Sequence, residues 1–178
     1  MKTKFPVLLV ALLSNHFTNG LEVVCPSEWT QWKGGCYRFF NQPRCSWKDA
    51  EEFCNKHQLS CDICPGETAH LVTIVSKEEN DFLFNWWKSL RDPLPTDTRQ
   101  TFWIDGNDEQ SEGKFVLING KPLEYSNWIR QQPNNWRNNQ DCIAMTKSPI
   151  HDSDIGKWND DKCSLESAFM CEFRCFQH

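Results

Sequence analysis

Apolar and polar positions along the chain fall into two helical stripes and several short strand-like runs. In "SWKDAEEFCNKH", Trp47, Ala50, Phe53, Cys54 and His57 recur at the spacing of one helix face, and Ser46 followed by Asp49 supplies a start signal. In "SKEENDFLFNWWKSL", Phe82, Leu83, Trp86, Trp87 and Leu90 form a second stripe behind Ser76, with Glu79 completing a capping box. Pro93 and Pro95 forbid continuation of that helix. Short apolar runs predict strands at 36–40, 70–74, 101–104, 115–118, 142–146 and 169–173, and Asn119-Gly120 is a hairpin turn signal. A long polar region follows, from Tyr125 to Asp161, and a loop of that length inside a small domain is usually functional.

The first twenty residues follow another pattern. Lys2 and Lys4 precede the apolar run Phe5–Leu13, and Thr18 and Gly20 offer small residues for cleavage, so residues 1–20 read as a secretory leader. The run is too short for a bilayer, which needs about 20 apolar residues. The expectation is a secreted, extracellular chain whose residues 21–178 form one domain, with no repeat or internal boundary. All ten cysteines lie beyond the leader, which predicts a disulfide framework whose pairing the sequence leaves open.

Charge and histidine placement narrow the function. The chain has 24 acidic against 19 basic residues, and loss of Lys2 and Lys4 makes it more acidic. That argues against nucleic acid, heparin-like polymers and anionic membrane as main partners. His57, His70 and His151 form no nucleophile–base arrangement, which argues against an enzyme. "CDIC" at Cys61–Cys64, with His57 and His70 nearby in sequence, leaves zinc and redox use open, with plain disulfides preferred.

The order "CPSEWTQWKGGCY", "SWKDAEEFC", "AHLVTI", "FWIDG", "EGKFVLINGKPLEYSNW", "QPNNW", "QDC", "KWNDDKC", "AFMCEF" resembles the C-type lectin-like domain, from Cys25 to Phe173. The resemblance implies an α+β fold with two helices, two small antiparallel sheets and a long loop region, stapled by disulfides. It implies the bridges Cys54–Cys171, Cys142–Cys163 and Cys25–Cys36. Cys45, Cys61, Cys64 and Cys175 lie outside that pattern; Cys45 is expected to bridge to Cys61 or Cys64, and Cys175 to take the other. Asp105 stands where the family has a glycine, and if buried it needs a partner.

In sugar-binding members of this family, calcium sits between a Glu-Pro-Asn or Gln-Pro-Asp tripeptide and a Trp-Asn-Asp motif, with a cis proline between the ligands. Matched motif to motif, those places fall on Gln132, Asn134, Gln140, Asn159 and Asp160. Calcium takes about 6–8 oxygens, and the count of charged ligands tunes its affinity. Only Asp160 of the five is a carboxylate, so calcium at this primary site, held by Asn134, Asn159 and Asp160, is expected to be weak or absent. Trp136 in "QPNNW" resembles the galactose-type stacking tryptophan, although "RNN" replaces that type's glycine-rich loop. Asp108, Glu112, Asn135 and Asp141 resemble an auxiliary calcium site with its charge retained. The resemblance therefore implies a lectin for galactose-type glycans. The alternative is a calcium-independent module that binds protein on the same scaffold.

Overall fold

The computed structural model describes residues 24–58, 66–90, 100–146 and 156–174. Strands β1 (Thr30–Trp32) and β2 (Gly35–Cys45) form a hairpin that leads into helix α1 (Trp47–Cys54). There follow β3 (His70–Leu71), α2 (Lys77–Ser89), β4 (Thr101–Asn107), β5 (Cys142–Thr146), β6 (Trp158–Asp161) and β7 (Ser167–Arg174).

Both helices begin where the sequence places them. Ser46 Oγ accepts from the Asp49 N–H and Ser76 Oγ from the Glu79 N–H, each at 3.2 Å. In the second capping box the Glu79 carboxylate reaches back past the helix start and also inward to the core. It accepts from the Tyr37 hydroxyl at 2.8 Å and the Val75 N–H at 3.0 Å, and it pairs with Arg174.

The strands form one seven-stranded sheet, in the order β1-β2-β7-β4-β5-β6 with β3 also on β7. Two antiparallel sets were expected as separate sheets; a short parallel pairing of β4 with β7 joins them. Neighbouring residues along the strands divide between two cores, as period-2 alternation requires. Trp103, Ala144 and Phe169 pack with α1 residues Trp47, Ala50 and Cys54. Phe102, Ile104, Ile143 and Met170 pack instead with α2 residues Leu83 and Trp87. Residues 115–118, expected to be a strand, make only two isolated bridges, both through Val116, one to Asn107 and one to Pro122.

The bridges Cys25–Cys36, Cys54–Cys171 and Cys142–Cys163 are all present. Cys54–Cys171 closes a span of 117 residues, worth about 4–5 kcal/mol in the chain-entropy account. Cys45 is corrected: it is a free thiol rather than a bridge. Its half-buried position, with Asp49 and Glu166 nearby, pushes the thiol up to about 11. Cys61, Cys64 and Cys175 lie outside the described residues, as do the leader and His151.

Asp105 does find partners. Its Oδ2 accepts from the Thr73 hydroxyl at 3.1 Å and its Oδ1 from the Ile118 N–H at 2.9 Å. Burial nevertheless raises it to about 6, and Glu51 adds repulsion.

Candidate functional site

The polar loop gathers at the ends of β4, β5 and β6. Trp158 opens β6 and is buried; its indole N–H donates to Asn80 Oδ1 of α2 at 2.8 Å, and Asn80 Nδ2 donates to the Gly156 carbonyl at 3.0 Å. That anchoring to the helix fixes the next two residues, Asn159 and Asp160, against the 132–140 loop. Asp160 is fully buried. Its Oδ2 accepts from the backbone N–H groups of Asn134 at 3.0 Å and Asn135 at 2.6 Å. Asp160 Oδ1 and Gln132 Oε1 are buried without a hydrogen-bond partner among the described residues. A buried oxygen without a donor is costly unless a ligand completes it.

The loop holds its shape through a run of unusual dihedrals. The Gln132–Pro133 bond is cis, as the resemblance implied. Asn135, Arg137 and Asn138 take φ values of 40°, 62° and 54°, so ordinary side chains occupy the left-handed region that glycine favours. That is how "RNN" does without glycines, and two of the three are asparagine, which tolerates this region best.

Gln140 has a role other than the one expected. It is buried, its Oε1 accepts from the Trp136 N–H at 3.0 Å, and its Nε2 donates to Asp161 Oδ1 at 3.2 Å. Both polar ends are committed to the frame, so it braces the loop rather than facing a ligand. Asn159 Nδ2 likewise donates to the Asp160 carbonyl. Trp136 is 58% exposed, and the Arg137 guanidinium lies 4.1 Å from its ring centroid. One face of the indole therefore already carries a cation.

The auxiliary set lies alongside. The Asp108 N–H donates to the Asp141 carbonyl at 3.0 Å, and Asp108 Oδ2 accepts from the Gly113 N–H at 2.7 Å. Asn135 Nδ2 donates to Glu112, while Asn135 Oδ1 accepts from the Gln140 N–H at 3.0 Å. Asp108 Oδ1 is buried and unpartnered among the described residues. Desolvation raises Asp108 to about 6, with Glu112 and Asp141 adding repulsion. Among the described residues no three acidic, histidine or cysteine side chains are gathered as a metal centre. The fit to a cation therefore rests on single open oxygens, one at Asp108 and two at Gln132 and Asp160, not on a closed cage.

A family profile described as the Lectin C-type domain matches residues 43–173. The chain belongs to the C-type lectin family. The alpha-N-acetylgalactosamine-specific lectin of Patiria pectinifera is 35% identical over 144 residues, 81% of this chain and 77% of that one. The C-type lectin mannose-binding isoform of Oxyuranus scutellatus is 32% identical over 167 residues, 94% of this chain and 93% of that one. The crystal structure of C-type lectin CEL-I from Cucumaria echinata has a TM-score of 0.70 at 27% identity, covering 85% of this chain and 99% of that one.

This C-type lectin is a non-enzyme, like the lectins it resembles. No helix among the described residues is long and apolar enough to cross a membrane. Two features of its site were missed in the sequence: the bracing by Gln140 and the anchoring of β6 by Asn80. Asn80 was findable, since a polar residue on the same helix face as Leu83 and Trp87 needs a buried partner.

Proposed function

We propose that this C-type lectin is a secreted, extracellular binder of galactose-type glycans, with residues 1–20 as its leader. The observation that carries this reading is the pair of open buried oxygens, Gln132 Oε1 and Asp160 Oδ1, in a site whose 132–140 loop also carries the exposed ring of Trp136. Sugar hydroxyls are donors of the kind those oxygens lack, and an exposed indole suits the apolar face of a galactose ring. The relation to a lectin named for alpha-N-acetylgalactosamine supports the galactose leaning. The relative named as mannose-binding marks the sugar preference to be tested against it.

Calcium at the primary place would rest on Asn134, Asn159 and Asp160, and its weakness follows from the single carboxylate there. The auxiliary set of Asp108, Glu112, Asn135 and Asp141 has more charge and is the better candidate. A cation there would relieve the mutual repulsion of its carboxylates and draw the 108–113 turn toward the loop. The commitment of Gln140 to the frame favours a second reading, in which the scaffold binds a protein without calcium.

Calcium titration by calorimetry and glycan-array binding with and without chelator separate these readings. Galactosides are expected to bind in calcium, with a smaller loss on chelation than a fully charged site would give. No glycan binding in either condition would leave the protein-binding reading.

A further inference from the structure

A cleft of about 340 Å³ opens where the 136–140 loop meets the end of β6, lined by Trp136, Arg137, Asn139, Lys162 and Leu165 together with Gln140 and Asp161. That volume lies within the roughly 300–1,000 Å³ of ligand-sized clefts. Its apolar lining residues are Leu165 and Trp136, and its exposed charged ones are Arg137 and Lys162. Asp161, the one carboxylate in the lining, is buried; its Oδ1 accepts from Gln140 Nε2 at 3.2 Å and from the Lys162 N–H at 3.0 Å. The charge accessible from solvent is therefore positive, on a chain with 24 acidic and 19 basic residues.

Arg137 lies on the Trp136 ring, 4.1 Å from its centroid. A guanidinium over an aromatic ring keeps N–H donors that can fork onto an oxyanion. Asn139 lines the same space and adds a side-chain amide beside the cationic rim, while Gln140, held by Trp136 and Asp161, closes the cleft floor.

We propose that this cleft takes an anionic substituent, a sulfate or a carboxylate, carried by the glycan bound at the adjoining loop. The proposal rests on the carbohydrate reading above, and Trp136 is common to both places. It adds a charge preference that the Gln132–Asp160 set, with its amides and single carboxylate, does not supply.

The test compares a neutral galactoside, its sulfated form and its sialylated form by calorimetry at low and high salt. The anionic forms are expected to bind about fivefold to tenfold more tightly at low salt, with the advantage shrinking as salt screens it. The sulfated and sialylated arms distinguish the two sources of charge. Lys162→Gln should reduce that advantage while leaving neutral binding unchanged. Arg137→Asn, which suits the left-handed backbone, should remove most of it, and both exposed variants should melt as the parent does. Equal affinity for neutral and anionic forms in the parent would overturn the cleft assignment and leave the lectin reading standing. Binding of the anionic sugars alone would retain the cleft and overturn the neutral-galactoside reading. No binding of any of the three would overturn both.

Discussion

Two buried polar groups of this lectin treat charge in opposite ways. At the β7 end, Arg174 reaches Glu172 at 2.8 Å, the Thr73 carbonyl at 2.8 Å and Glu79, while Glu172 accepts from the Thr73 N–H at 2.7 Å. Tyr37 and His70 sit against the same cluster. At the loop end, Asp108, Gln132 and Asp160 each keep a buried oxygen without a partner among the described residues. The first set is closed and satisfied, as a scaffold requires. In the second set Asp108 and Asp160 are each held through Oδ2 and open at Oδ1, and Gln132 has its amide oxygen open, which is the arrangement a ligand can complete.

Breaking the closed set should have the largest effect. Glu172→Ala leaves Arg174 without one of its two carboxylates in a buried place, and a loss of about 3–5 kcal/mol is expected in denaturant unfolding. A change below about 1 kcal/mol would mean that the cluster is not structural. Asp160→Ala should cost less, about 1–3 kcal/mol, because it strands two backbone N–H groups. It should also abolish glycan binding while the fold persists, seen as retained cooperative melting.

Substituting the two glutamines sharpens the contrast inside the loop. Gln132→Glu places charge on an open oxygen and should raise calcium affinity about tenfold by calorimetry. Gln140→Glu should not, because it sets a carboxylate against Asp161 where an amide now donates, and its melting temperature should fall. An equal gain from both would show that Gln140 faces the ion after all.

The pH dependence of folding gives a gentler comparison, at a buried carboxylate outside both sets. Asp105 is raised from its ordinary 3.8 to about 6, so the folded chain holds that proton more tightly than the unfolded one. Its contribution is complete below about pH 4 and is lost as pH rises through about 6. Asp105→Asn, which keeps an oxygen for the Ile118 N–H, should flatten the stability profile across that window. The smallest stability effect belongs to Trp136→Ala, within about 0.5 kcal/mol because the ring is exposed. Its glycan affinity should nonetheless collapse, and unchanged affinity would remove Trp136 from the site.

The sequence was most informative where local chemistry decides structure. Ser46 and Ser76 start helices, Cys142–Thr146 is a strand as predicted, and the motif order placed three disulfides. It was less informative where tertiary partners decide. β6 is the Trp-Asn-Asp motif itself, and its polar side chains hid a strand that pairing with β5 creates. Glu79 was visible as a cap, but nothing local shows that Tyr37 and Arg174 draw its carboxylate inward. Matching by motif named Asn134 and Asp160, which a backbone N–H bond joins, yet could not reveal that Gln140 turns both polar ends to the frame.

Asn135 belongs to every part of the loop at once. Its backbone N–H reaches Asp160, its amide nitrogen reaches Glu112, and its amide oxygen takes the Gln140 N–H. A single residue therefore joins the primary and auxiliary places, and on the proposed reading the two would be coupled. An ion that orders Glu112 and Asn135 prepares the backbone that positions Asp160, so less ordering remains for the sugar. Reciprocity then requires that sugar binding tighten the ion by the same factor.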